Sequence, residues 1–300
     1  MPSLLAWLDF AESDRHRAMD VINLFRERNT VDELGFAPVR DALSDLMFPG
    51  TSTIQTRARY FLFVPWIMLD CERNRYAPAV GATRIRRLET QLIDALLAGA
   101  ATDSGIIGRE ARGTLKRMPS SVYWGGLHRW GIRTFSGSIE QYLLRVATGH
   151  SGPSRVVTTD DGEPVDAVTA NWHPGLPAAA KNVFKSTDFD LTPHEAEFLH
   201  DRILGSCPRS LLAHLVTRLA GPSDCPYIWE LPILGNLTAA LSAVVNHARL
   251  FSWCAWGGPL LYACLVAKLK HADAVADTAL TRLHEWRQTL QNERPSLSRW

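Results

Sequence analysis

Apolar positions along this chain recur mostly at helical spacing. Ala18, Val21, Ile22 and Phe25 form one stripe, and Asp9 with Glu12 has capping-box spacing, which predicts a helix over residues 11–28. A second helix is expected after Pro38, with Val39, Ala42, Leu43 and Leu46 inward. Pro49-Gly50 reads as a turn, and Ser52 with Gln55 makes another capping box, so a third helix is expected to start at Ser52. At 100° per residue, Ile54, Ala58, Phe61, Leu62 and Pro65 fall on one side of it. Gln55, Thr56, Arg59, Tyr60, Phe63 and Trp66 fall on the other. Ile85, Leu88, Leu92, Ala95 and Leu96 predict a helix over 84–98, two further helical stretches (108–118 and 120–132) flank Pro119, and another covers 138–147. Over residues 149–190 the period is lost; Gly, Pro, Asp and Thr are frequent, and RVVTT and VDAVTANW read as short strands. A helix restarts at Thr192-Pro193-His194-Glu195, with a cap, proline at the first position and glutamate at the third. Helical spacing then covers 209–220, 236–248, 256–271 and 276–291. The expected fold is mainly α: helical parts at 1–148 and 191–300 around an irregular, short-stranded excursion, forming one compact unit.

Three hundred residues, 46% hydrophobic and 21% charged, are ordinary for a globular chain with a sizeable core. Net charge is +1, which excludes a uniformly basic protein, but the charge is uneven. Residues 1–56 hold 5 Lys/Arg against 9 Asp/Glu, residues 57–133 hold 13 against 6, and residues 134–300 hold 14 against 16. A basic middle third between acidic flanks fits a localised polyanion site. The plainer reading is a solvated face with internal ion pairs.

Five cysteines with no paired short spacing fit a reducing, cytoplasmic location better than a disulfide framework. The N-terminus turns acidic at once, unlike a signal peptide. Leu250 to Ala267 carries no charge and is borderline for a membrane span. Gly257-Gly258-Pro259 interrupts it, so a buried core helix is expected, and no membrane partner.

Glycine-rich phosphate loops and dinucleotide fingerprints are missing. In HEAEFLH the histidines, His194 and His200, are six apart and do not share a helix face, so no metal site is expected there. GHSGP fails the nucleophile-elbow pattern because Pro153 replaces the last glycine. No metal and no cofactor is expected.

What remains is Arg and aromatic chemistry. Gly50, Thr51, Ser52 and Thr53 would offer a phosphate seat at a helix N-terminus. Arg57 and Arg59 would hold phosphates while Tyr60 stacks on a base. The alternative is a helix buried on both sides, its arginines paired with acids. In residues 108–133, Arg117 and Arg129 flank Tyr123, Trp124, Gly125 and Gly126, which fits a DNA-reading helix pair or a packed hairpin with its tryptophans in the core. Removing a flipped base needs a carboxylate to stabilise an oxocarbenium-like sugar, and neither metal nor cofactor. Candidate carboxylates are Asp9, in apolar WLDF, and Asp45, before the phosphate-seat turn; Asp190 is a weaker third that fits a helix cap.

WLDFAESDRHRAMDVINLFRERNTVDELG, FPGTSTIQTRARYFLFVPW, MPSSVYWGGLHRWGI and FDLTPHEAEFL, in that order, resemble an uncharacterised bacterial family often encoded near helicases and nucleases in phage-defence islands. The resemblance spans roughly residues 5–270, and the middle two motifs are its distinctive part. It extends to the antiviral DNA glycosylase that excises glucosylated hydroxymethylcytosine from T-even phage genomes. The implied function is release of that modified base from phage DNA, double-stranded or locally opened, leaving an abasic site. A helicase or nuclease encoded nearby is an implied partner. No catalytic residue carries over from the resemblance. Two other readings stay open: a non-catalytic DNA-binding subunit of a defence system, and a helical protein-interaction scaffold.

Overall fold

The computed structural model describes residues 35–99, 105–149, 157–158, 164–165, 170–218, 225, 227–270 and 273–293. The expected helix at 11–28 and Asp9 lie outside them. The protein is mainly α. Its helices are α1 (Phe36–Met47), α2 (Tyr60–Asn74), α3 (Pro78–Gly99), α4 (Pro119–Arg129), α5 (Ile139–Ala147), α6 (Pro193–Ser206), α7 (Leu211–Arg218), α8 (Ala239–Leu269) and α9 (Asp273–Glu293). Val157–Thr158 and Pro164–Val165 pair as a two-residue antiparallel ladder. The chain divides into two compact units: Leu43–Arg249, and Met1–Ala42 with Leu250–Trp300.

In the larger unit α2 is the central post, with α3, α4 and α5 packed around it. Every residue from Tyr60 to Met68 is buried, so the expected division into a core side and a polar side does not hold. A helix apolar all round is one enclosed by its neighbours. The expected start at Ser52 also fails: residues 50–59 form turns and the helix begins at Tyr60. The side chain of Gln55 serves Gly50 and Val122 carbonyls instead of capping a helix. Residues 108–118 are turns with one 3-10 turn at Arg112–Thr114, because Gly108 and Arg112 both take positive φ, which a helix cannot hold.

The later part of the excursion straps this core. The Nε1–H of Trp66 donates to the Pro177 carbonyl at 2.7 Å, and Trp172 bridges to Arg133. Glu72 Oε1 accepts from Tyr142 (2.8 Å), Asn171 (2.9 Å) and Trp172 (3.0 Å), tying the strap to α2. The cap of α6 is as expected: Thr192 and Glu195 form a capping box with Pro193 at the first turn.

The stretch expected as a buried, interrupted core helix is neither. Residues 239–269 form one continuous helix through Pro259, and only 22% of its most apolar window is buried. Leu269 is 81% exposed and Tyr262 71%. It is the one described helix long and apolar enough to cross a membrane. One flank is covered: the Nε1–H of Trp286 on α9 donates to the Trp253 carbonyl, and Gly257 leaves room for the indole. On α1, Leu43 is buried, whereas Val39, Ala42 and Leu46, expected inward, are exposed.

Candidate functional site

Several residues proposed for DNA contact are built into the core. The Tyr123 hydroxyl accepts the backbone N–H groups of Thr56 (2.9 Å) and Arg57 (3.2 Å) and donates to the Arg57 carbonyl (2.9 Å). It locks the 50–57 loop onto α4. The Tyr60 hydroxyl accepts the Ile107 N–H at 3.0 Å. Both rings are fully enclosed, and burial pushes both phenols up. Trp124 donates to the Gly137 carbonyl at 2.9 Å, and the Arg133 guanidinium lies 4.3 Å from its ring centroid. Tyr60 and Tyr123 are thus enclosed, while Trp124 is half-buried against the core. Arg59 is buried too. Its guanidinium reaches Asp188 at 2.8 Å and Glu195 at 3.1 Å, so it is an internal ion pair and not a phosphate contact.

The other predicted residues remain at the surface. Ser52 and Thr53 are exposed, but on a turn, so no helix N-terminus stands behind them. Arg57 is half-buried, its guanidinium 5.6 Å from the Phe189 ring centroid. Arg117 is exposed just before α4 and Arg129 at its last turn. Gly126 passes so close to Gly50 that a Cβ there would lie 2.3 Å from the Gly50 carbonyl oxygen. Gly126 therefore admits backbone, not a ligand, whereas Gly125 faces open space. Asp190 is exposed before α6, its N–H bonded to Asp188.

Two predicted residues act on the same group, the Cys207 thiol. Asp45 is exposed near the end of α1, and it and Arg129 are both close enough to Cys207 to act on its thiol. Burial pushes that thiol up; Arg129 opposes the shift and Asp45 adds to it. A cavity of about 630 Å³ has in its wall Leu46 and Pro208, the neighbours in sequence of Asp45 and Cys207. Leu204, Ala213 and Leu241 make its apolar side, and Arg209, His214 and Arg218 supply polar groups. Ser210 anchors the corner between α6 and α7, donating to the Cys207 carbonyl (2.7 Å) and accepting the Ala213 N–H (3.1 Å). A cavity of this size has room for a large ligand.

One buried carboxylate was not foreseen. Glu89 on α3 is 1% exposed, and its Oε1 accepts the Ser120 N–H at 2.7 Å, in the first turn of α4. Burial pushes its pKa up to about 7, against the Ser120 hydrogen bonds and Arg86, which hold it down. Its signal was in the sequence: Ile85, Leu88, Glu89 and Leu92 share one helix face.

Among the described residues no group of three His, Cys, Asp or Glu side chains is placed to hold a metal ion, and His200 of HEAEFLH lies 3.3 Å from Asp201. All five cysteines are free. No curated protein and no solved structure matches the chain. A family model matches residues 2–296, and the chain belongs to that family, DUF6361, a family of unknown function.

Proposed function

We propose that this chain is a DNA glycosylase that hydrolyses the N-glycosidic bond of a bulky modified base, glucosylated hydroxymethylcytosine, in phage DNA and leaves an abasic site. What supports the reading is a 630 Å³ cavity whose wall includes Leu46, the sequence neighbour of Asp45, together with the electrostatic effect that Asp45 and Arg129 both have on the Cys207 thiol. In this reading the flipped base and its glucose enter the cavity, where hydroxyls of the sugar meet Arg209, His214 and Arg218. Asp45 faces the deoxyribose, stabilises the oxocarbenium-like charge as the bond breaks, and orients water. Arg129 holds the adjoining phosphate. The sequence resemblance supplies the base; the cavity supplies the room.

The test incubates purified protein with unmodified and glucosylated hydroxymethylcytosine DNA in EDTA, counting abasic sites by alkaline cleavage and released base by mass spectrometry. Release from the modified DNA alone is expected. Asp45→Asn, at an exposed position, should keep the fold and lose on the order of 10²–10⁴-fold in rate. Full activity in Asp45→Asn refutes the site. Loss in Asp9→Asn alone moves the carboxylate to the N-terminal segment.

A second reading, a non-catalytic DNA-binding subunit, has one observation in its favour. With Tyr60 and Tyr123 in the core and Trp124 half-buried against it, the only ring in the cavity wall is the His214 imidazole. Salt-sensitive DNA binding with no released base from any substrate decides for it.

A further inference from the structure

Two grooves lie along the exposed side of α3. One, of about 490 Å³, is lined by Tyr76, Val80, Thr83, Arg84 and Arg87. The other, of about 430 Å³, is lined by Thr83, Arg86, Lys116, Ser120 and Ser121. Thr83 is common to both, so the two adjoin there, one on each side of it, as a broken trough between the start of α3 and the first turn of α4. Its charge is one-sided. Arg84 is neutralised by Asp70 at 2.8 Å, and Arg112, outside the trough, by Asp94 at 3.2 Å. Among the described residues, Arg86, Arg87, Lys116 and the adjoining Arg117 have no carboxylate at ion-pair distance, although Arg86 acts electrostatically on Glu89, and all four are exposed. Arg86 is held in place by donating to the Gly113 (2.7 Å) and Leu115 (3.0 Å) carbonyls. The one acid in the wall, Glu89, is buried and turned onto the Ser120 N–H.

We propose that this trough seats the phosphodiester backbone of a nucleic acid, with Arg86, Arg87 and Lys116 on the phosphates and the Ser120 and Ser121 hydroxyls beside them. The proposal rests on the reading of the chain as acting on DNA, and not on base excision. Residues 79–87 of α3 cover about 12 Å, which is three to four nucleotides of strand rise. The shape suits it: an elongated trough with cations spread along its length matches an extended polyanion, whereas a small anion calls for donors converging on one point. Helix α4 runs from the trough toward Arg129, since Ser120 is in its first turn and Arg129 ends it, about 14 Å away.

The experiment uses the full chain and unmodified duplex, read by fluorescence anisotropy between 50 and 200 mM salt. Arg87→Gln and Lys116→Gln are surface changes with no ion pair to break. Each should lower affinity on the order of tenfold at 100 mM salt and make the salt dependence shallower by about one phosphate contact. Lys116 of the unaltered protein should also be shielded from acetylation by bound DNA. An unchanged salt dependence in both variants overturns the trough, as does equal acetylation with and without DNA. Competition by poly-glutamate as strong as that by DNA also overturns it, in favour of an acidic protein partner. If the variants behave as expected but the unaltered chain releases no base from modified DNA, the trough stands and the glycosylase reading falls.

Discussion

Arg59 is where a DNA contact and a structural ion pair make opposite predictions. Its guanidinium is buried and meets Glu195, also buried, at 3.1 Å and half-exposed Asp188 at 2.8 Å. At an effective dielectric constant near 20, opposite charges at the 3.1 Å separation attract by about 5 kcal/mol, most of which offsets desolvation. Removing one partner is another matter, because Glu195 is then left buried without a cation. Arg59→Met should therefore destabilise the protein by about 3–5 kcal/mol. Asp188→Asn, at a half-exposed partner, should cost about 1 kcal/mol or less. Pairing Arg59→Met with Glu195→Gln removes the stranded charge while keeping a capping side chain at the third position of α6, and should recover 1–3 kcal/mol, roughly. Urea unfolding followed by tryptophan fluorescence and far-UV circular dichroism measures all four. DNA affinity of the folded fraction should not change. A loss below about 1 kcal/mol in Arg59→Met, with a shallower salt dependence of DNA binding, refutes the structural assignment and returns Arg59 to the DNA.

Glu89 makes stability depend on pH. Its folded-state value of about 7 lies above the ordinary 4.5, so its contribution is intact below about pH 4.5 and is lost as pH rises through 7. Against Glu89→Gln, which can still accept the Ser120 N–H, the wild type should lose on the order of 3 kcal/mol across that window; parallel stability curves for the two proteins refute it. The neighbouring glycines of α4 should respond oppositely. Gly125→Ala meets nothing within 4 Å and should stabilise the exposed helix by about 1 kcal/mol. Gly126→Ala drives a Cβ to 2.3 Å from the Gly50 carbonyl oxygen and should cost about 1–3 kcal/mol or more, read as a lowered melting temperature.

Helices α5 and α6 start within a residue of where the spacing and the Thr192 cap put them, and α3 covers its expected apolar stripe but begins at Pro78, six residues before 84. The start of α2 was not legible in the sequence, although Ser52 and Gln55 carry the same capping signature that works at Thr192 and Glu195. The difference lies in long-range competition. At α6 both halves of the box bond to each other. At residues 50–57 the Tyr123 hydroxyl, far away in sequence, takes the Thr56 and Arg57 N–H groups, and Gln55 turns to Val122. A local signature states what a segment can do alone, and a buried partner with unmet hydrogen-bonding capacity overrides it. The long apolar run of α8 failed differently: uniform hydrophobicity shows that a segment avoids charge, but it does not say which flank is covered.

The same distinction governs the site. Arginine beside aromatic residues is the composition of a stacking platform and also of a core that needs internal counter-ions. Burial decides between them, and a single sequence does not display burial. Here it separates the arginines. Arg59 is spent on Glu195, and Arg133 on Trp124 and nearby carbonyls. Arg86, Arg87, Lys116 and Arg117 keep their charge at the surface, with no carboxylate at ion-pair distance among the described residues. The basic character of residues 57–133 therefore divides into cations that hold the fold and cations available to a ligand. Only the second group can make binding depend on salt, so the salt dependence of the Arg87 and Lys116 variants, set beside that of Arg59→Met, measures the division directly.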